Sequence, residues 1–276
     1  MDDPAARRRL PLRTKIRRRV RRSIGSLGFE IVRTPSEFPP DFSPTDRKIY
    51  QAVKQFTLTP PERVFALSRA LEYIDSAQVA GSIVECGVWR GGSMMAACLE
   101  LIRLGDTERE LFLYDTFEGM PDPDDTVDVD TEGTMASVFL SDGAEQGHPM
   151  WDHAPACAYA PIDDVRSRLE STGYPSARMH LVAGKVEDTL PEQAPESIAL
   201  LRLDTDWYES TRHEMEHLFP RIVPGGVLVL DDYGHWKGSQ KAVDEYLEAH
   251  GIRMLLNRID YSARLGIVGT PAPLRG

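Results

Sequence analysis

Two apolar runs in this chain end in carboxylates. Ile198-Ala199-Leu200-Leu201-Arg202-Leu203 is followed by Asp204, and Val227-Leu228-Val229-Leu230 by Asp231 and Asp232. The two ends are separated by about the length of one strand–helix–strand unit. In a parallel sheet that spacing can bring neighbouring strand ends together, on the edge where open α/β folds bind ligands. One such aspartate would be an ordinary helix cap or a solvated strand end. Three together either hold a metal or move protons. Oxygen-only ligands favour a hard cation such as Mg²⁺ over zinc or copper. Asp204 is the first choice for a general base and His235, just beyond the acidic pair, the alternative.

A second chemical feature is Glu85-Cys86-Gly87-Val88-Trp89-Arg90-Gly91-Gly92-Ser93. It joins a strand to a helix N-terminus, where glycines let the backbone approach a ligand and free amides can meet an anion. It lacks the G-x-G-x-x-G of a dinucleotide site, so NAD is disfavoured. Glu85 would suit the ammonium group of an amino-acid-like cofactor. Asp115, ending the next strand, is placed for ribose hydroxyls.

The elements that must position these residues follow from periodicity and caps. Thr59 and Glu62 have capping-box spacing ahead of a helix with Leu67, Ala70, Leu71 and Ile74 on one face. Strands are expected at 82–86, 111–114 and 179–183, with helices from Ser93 to Gly105 and from Asp163 to Thr172. Thr211 and Glu214 again have capping-box spacing, before the face Met215, Leu218, Phe219 and Ile222. Pro224-Gly225-Gly226 reads as a turn into the last long strand. A helix carrying Val243, Tyr246 and Leu247 and two short closing strands complete an α/β fold with a parallel sheet. Residues 34–58, with Pro35, Pro39, Pro40 and Pro44, read as a linker or wrapped extension. Residues 119–160 read as a lid or substrate-facing insertion, with six acids between Asp122 and Glu132.

The 276 residues suit one large domain with additions, here taken as 59–276. The net charge of −11 conceals a basic arm, residues 1–33, with ten arginines and one lysine. The arm suits a solvated extension or a peripheral membrane contact. The acidic remainder argues against nucleic acid as a partner. Cys86, Cys98 and Cys157 lack metal or redox spacing, and no export signal is evident, so a reducing cytoplasm is expected.

Several blocks then resemble one family. VECGVWRGGS (84–93), YDTFEGMP (114–121), GKVEDTLP (184–191), LDTDWYEST (203–211), LVLDDYGHWKGSQKAVDEY (228–246) and RIDYSAR (258–264) are similar to the macrocin O-methyltransferases, sugar-modifying enzymes of antibiotic biosynthesis. The resemblance covers roughly residues 55–270. It implies a Rossmann-like, doubly wound class I methyltransferase sheet, mostly parallel, with an antiparallel strand near the C-terminus. It implies S-adenosylmethionine as methyl donor, Mg²⁺ as metal, a sugar-containing small molecule or glycan as acceptor and a homo-oligomer. Glu85, Gly87, Trp89, Gly91 and Ser93 then fall in the donor-binding turn, Asp115 on the ribose, Gly184 and Val186 beside the adenine, and Asp204 at both donor and metal with Asp231 and Asp232. The basic arm and the long acidic insertion lie outside that pattern. A catechol-like phenol is the alternative acceptor, since it offers the same neighbouring hydroxyls. A non-catalytic glycan-binding protein is a further reading, against which the intact acid trio speaks. Trp207, Tyr208 and Trp236 suit either a sugar ring or plain packing.

Overall fold

The computed structural model describes residues 38–143 and 158–269. The basic arm and the second half of the insertion lie outside the described residues. Every element below belongs to the compact unit that starts at Phe42.

The apolar runs pair as one sheet. Its strands are β1 (Ser82–Cys86), β2 (Leu111–Asp115), β3 (Met179–Ala183), β4 (Ile198–Leu203), β5 (Ile222–Leu230), β6 (Asn257–Arg258) and β7 (Arg264–Ile267), in the order β3-β2-β1-β4-β5-β7-β6. β1 to β5 run parallel, while β7 joins β5 antiparallel and carries β6. β1 and β4, whose ends carry the chemistry, are direct neighbours at the centre. The chain order reverses direction there, the usual place for a ligand crevice.

Both sheet faces are covered because the central strands are apolar on both sides. One face packs against α1 (Pro44–Val53), α2 (Pro61–Ser76), α3 (Gly92–Leu104) and, past the short helix α4 (Ala136–Gly143), α5 (Ile162–Glu170). After the one-turn α6 (Val186–Thr189), α7 (Tyr208–His217) and α8 (Lys237–Ala249) cover the other. Leu200 belongs to the first layer and Leu201 and Leu203 to the second. Arg202, two residues after Leu200, therefore faces the α2 side at the C-terminal edge. Each buried Leu or Ile side chain contributes roughly 1.5–3 kcal/mol. That gain is what allows a charged residue to be held inside the sheet.

Four local expectations are corrected. Residues 34–58 contain α1, opened by a full capping box between Ser43 and Asp46. Ile49 and Val53 anchor it in the core, so the described part of this stretch is a packed extension and not a linker. Thr59 does not cap α2: Pro60 takes the N-cap position, and the Thr59 amide donates to Thr57 Oγ1 instead. Pro224-Gly225-Gly226 is no turn but lies within β5.

The fourth correction concerns α7, which begins at Tyr208, so Thr211 and Glu214 sit inside it rather than at its cap. Its end is satisfied from a distance. Asp128 of the acidic insertion accepts the Tyr208 amide through Oδ1 at 2.8 Å. The Val129 carbonyl accepts the Lys237 amide at the start of α8. A Cβ at Gly238 would overlap the Asp128 carboxyl, so only glycine fits there. Other acids of the insertion close local turns: Asp125 accepts from the Ser137 amide, and Asp130 from the amides of Glu132 and Thr134. Much of the acidity of 122–132 is thus capping. Replacing Asp128 by Ala should destabilise the protein by about 1–2 kcal/mol in urea unfolding. Unchanged stability would contradict the capping role.

Candidate active site

Glu85 and Arg202 are register partners on β1 and β4, so their side chains emerge on the same side. The Arg202 guanidinium is buried. Nη1 donates to Glu85 Oε1 and to Asp204 Oδ2, both at 2.7 Å, and Nη2 donates to Asp231 Oδ1 at 2.6 Å. One cation thus joins the ends of three adjacent strands. Arg63, from the first turn of α2, supplies a second. It pairs with the other oxygen of Asp231, with Asp260 Oδ2 at 2.7 Å and with Ser262 Oγ at 2.5 Å. Arg258 leaves the Asp260 carboxylate to Arg63 and donates to the Asp260 and Tyr261 carbonyls.

Two guanidiniums do not balance the acids gathered here. Glu85, Asp204, Asp206, Asp231 and Asp232 share the edge. Burial, and then Asp204, push the Asp206 carboxyl up to about 8. Burial pushes Glu85 up to about 7 against the pull of Arg202. Asp204 and Asp232 are driven well above the ordinary range, by burial first and by their fellow carboxylates. Burial would raise Asp231 as well, but Arg202 and Arg63 outweigh it and hold that carboxyl low. Ligand oxygens of Asp204, Asp231 and Asp232 lie within 4.8 Å of one another. The donor set fits a hard divalent cation: oxygen-only, clustered, and short of positive charge. Asp206 was not singled out in the sequence, although the D-T-D spacing carries it. Its φ of +65° bends the backbone into the left-handed region and brings its carboxyl into hydrogen-bonding reach of Asp232 and Trp236.

Above this edge opens a cavity of about 570 Å³. Gly87, Trp89, Ser93, Asp115, Gly184, Val186 and Asp204, all expected at a donor site, line it, as do Asp231, Asp232 and His235. Glu85 and Gly91 do not. Glu85 is turned to Arg202, and its Oε2 has no partner among the described residues. Gly91 packs toward Val165 and Leu169 under the turn. A Cβ at Gly87 would overlap the Asp204 carbonyl oxygen, and its φ is +82°, so this turn can approach β4 only as glycine. The Asp115 carboxylate has a job beyond the expected one. It accepts the Val88 and Trp89 amides at 2.7 and 2.8 Å and the Phe117 amide at 2.7 Å. Trp89 and Phe117 both have positive φ. Asp115 therefore holds two strained residues at the cavity wall. Trp89 Nε1 is buried without a hydrogen-bond partner among the described residues, a donor that suits an anionic or carbonyl group of a ligand.

The rim joins distant segments. Phe56, Thr57 and Leu58 line the cavity, and the Gly92 amide donates to the Phe56 carbonyl at 2.9 Å. His235 Nδ1 lies 3.2 Å from Tyr261 Oη, which is 3.2 Å from Thr131 Oγ1 of the insertion. Trp236 lines the cavity, whereas Trp207 is packed edge-to-face against it and donates Nε1 to the Pro121 carbonyl. Tyr208 bonds to Glu245 and lies off the cavity. Of the three aromatics only Trp236 faces the ligand space.

Strand order, glycine turn and acidic edge define a class I methyltransferase. The comparisons carry this to a family. The macrocin-O-methyltransferase (TylF) family model matches residues 43–265. An 8-demethyl-8-(2,3-dimethoxy-alpha-L-rhamnosyl)-tetracenomycin-C 4'-O-methyltransferase from Streptomyces olivaceus is 33% identical over 204 residues, 74% of this chain and 72% of that protein. A mycinamicin III 3''-O-methyltransferase from Micromonospora griseorubida is 29% identical over 205 residues, 74% and 75% of the two chains. The solved O-methyltransferase NovP superimposes with a TM-score of 0.64 at 26% identity, covering 78% of this chain and 83% of its own. The chain belongs to the macrocin O-methyltransferase family and is an S-adenosylmethionine-dependent O-methyltransferase.

Replacing Arg202 by Met leaves buried carboxylates uncompensated and should cost about 3–5 kcal/mol of folding stability at pH 8. A loss below 1 kcal/mol in denaturant titration would contradict its role. The metal-free protein should also lose stability as pH rises. Glu85 and Asp206 hold protons more tightly folded than unfolded, so their contribution is complete below about pH 4 and disappears through about 7 and about 8. Calorimetry in a chelator should show Tm falling from pH 5 to pH 9, and a rise across that range would contradict the assignment.

Proposed function

We propose that this enzyme methylates a hydroxyl of a sugar on a glycosylated small molecule, in a Mg²⁺-dependent reaction. The observation that carries the reading is the trio Asp204, Asp231 and Asp232, clustered within 4.8 Å on the wall of the cavity that the glycine turn also lines. The relatives' names support it: one acts at a rhamnosyl-bearing tetracenomycin and another at mycinamicin III.

Asp204, Asp231 and Asp232 would hold Mg²⁺, which supplies a Lewis acid that makes a neighbouring sugar hydroxyl easier to ionise. Gly87, Trp89, Ser93, Asp115, Gly184 and Val186 would bind S-adenosylmethionine, which supplies an electrophilic methyl on sulfur. Asp206 is the better candidate to take the acceptor's proton. Asp204 is tied to Arg202 and assigned to the metal, whereas Asp206 lines the cavity beside the trio and is left for proton transfer. His235, at the rim beside Tyr261, is the alternative proton acceptor. Leu58, Phe139, Trp236 and Tyr261 offer apolar surface for the acceptor and exclude water from the reacting hydroxyl. Two further proposals rest on family resemblance and charge: the enzyme acts as a cytoplasmic homo-oligomer, and residues 1–33 bring it to an anionic membrane surface.

Calorimetry with S-adenosylmethionine and turnover on a panel of glycosides and catechols, with Mg²⁺ or with chelator, test the reading. Glycosides should be methylated and chelator should abolish turnover. Asp232→Asn should lower kcat by at least about 100-fold while donor affinity stays within about threefold. Asp206→Asn should lower kcat by about 100-fold or more with Mg²⁺ binding retained. Turnover undiminished by chelator, or a preference for catechols, would overturn the proposal.

A further inference from the structure

Glu214 has no part in the chemistry above, yet it is fully buried. It sits in the middle of α7, facing the underside of the Asp204–Trp207 loop. Its Oε2 accepts from Thr205 Oγ1 at 3.1 Å. Its Oε1 has no hydrogen-bond partner, and no arginine or lysine pairs with it, among the described residues. The Cys86 thiol, at the end of β1, is its other near neighbour. A buried acid without a cation is costly, and an apolar residue would fill the same space more cheaply. What the carboxyl provides that a methyl group would not is the bond to Thr205, together with a polar contact to the Cys86 thiol.

Thr205 stands between Asp204 and Asp206. Its carbonyl accepts the Trp207 amide at 2.7 Å, which closes the loop on itself. Asp206 holds a left-handed φ of +65°, which an aspartate tolerates better than most residues and which sets the direction of its side chain. The loop is tied to α7 by the Thr205 side chain, by the Ser210 hydroxyl, which reaches the Trp207 carbonyl at 3.2 Å and the Thr205 carbonyl at a long 3.5 Å, and by the Thr211 amide, which donates to the Trp207 carbonyl at 3.1 Å; of these, only the Glu214–Thr205 bond joins two side chains. We propose that Glu214 is a positioning residue for methyl transfer: through Thr205 it fixes the loop that aims the Asp204 and Asp206 carboxyls into the cavity. Burial drives its carboxyl well above the ordinary range, and an amide oxygen at the same place can accept the Thr205 hydroxyl equally. The catalytic part of this inference rests on the proposed roles of Asp204 and Asp206; the structural part does not.

Hydrogen exchange of the 204–207 amides reads the loop without requiring activity. Glu214→Leu and Thr205→Val should each speed exchange there by at least about tenfold, and Glu214→Gln should leave it near wild type. On a methylated acceptor, the first two variants should lower kcat by about 10- to 100-fold while KM for the donor changes little. The double variant should be no worse than either single one within about twofold, because both break the same bond. Unchanged exchange in Thr205→Val, or Glu214→Gln as impaired as Glu214→Leu, would overturn the proposal. Faster exchange with unaltered kcat would instead keep the loop contact and overturn its catalytic purpose. Should Glu214→Leu fail to fold, Thr205→Val and Glu214→Gln decide the matter alone. Exchange that behaves as stated in an enzyme whose turnover ignores Mg²⁺ would count against the metal reading only.

Discussion

The site depends on a single buried guanidinium. Arg202 emerges from the middle of the sheet and binds Glu85, Asp204 and Asp231, one acid from each of three strand ends. Like charges at this separation in a low-dielectric interior would repel strongly. Arg202 reduces that repulsion enough for the strands to end together, and Arg63 completes the task on the outer side of Asp231. The compensation is partial by construction. Acids outnumber arginines, so the edge retains an affinity for positive charge. The proposed divalent cation would meet that need.

This arrangement also explains why β1 and β4 must touch. Gly87 lies so close to the Asp204 carbonyl that no side chain fits between them. The donor-side turn and the acidic edge are therefore one rigid unit, built on backbone contact. The Gly92 amide extends the unit to Phe56, and so to the segment before α2 that walls the cavity. The acidic insertion closes the structure from the other side. Asp128 caps α7, Val129 receives the first amide of α8, and Thr131 reaches Tyr261 at the rim. The loops bearing the chemistry are thus held from beneath by α7 and from above by the insertion.

Much of this was legible in the residues. The strand ends at Cys86, Leu203 and Leu230, the order of helices and strands, and the trio of aspartates follow from apolar runs and what terminates them. What escaped was whatever depended on partners far away in the chain. Thr211 and Glu214 have the spacing of a cap, but the end of α7 is satisfied by Asp128, eighty residues earlier, so the helix starts sooner. Glu85 looked free to meet an ammonium group, yet its register partner is an arginine. Arg202 itself was visible as the one charge in an apolar strand, and that oddity was the signal for the network. Asp206 was hidden because its role comes from a backbone twist that no spacing rule reports. α1 was obscured by prolines, one of which occupies the first helical position, where proline is favoured.

The central claim is that the partly neutralised edge binds one divalent cation against Asp204, Asp231 and Asp232. Anomalous diffraction from crystals of the protein grown with S-adenosylhomocysteine and Mn²⁺ as a Mg²⁺ substitute tests it most directly. The account predicts a single strong peak in the cavity, within about 2.0–2.3 Å of carboxylate oxygens from at least two of those aspartates. No peak at the edge, or a peak only at the surface cluster of His213, Glu216 and His217, would contradict it.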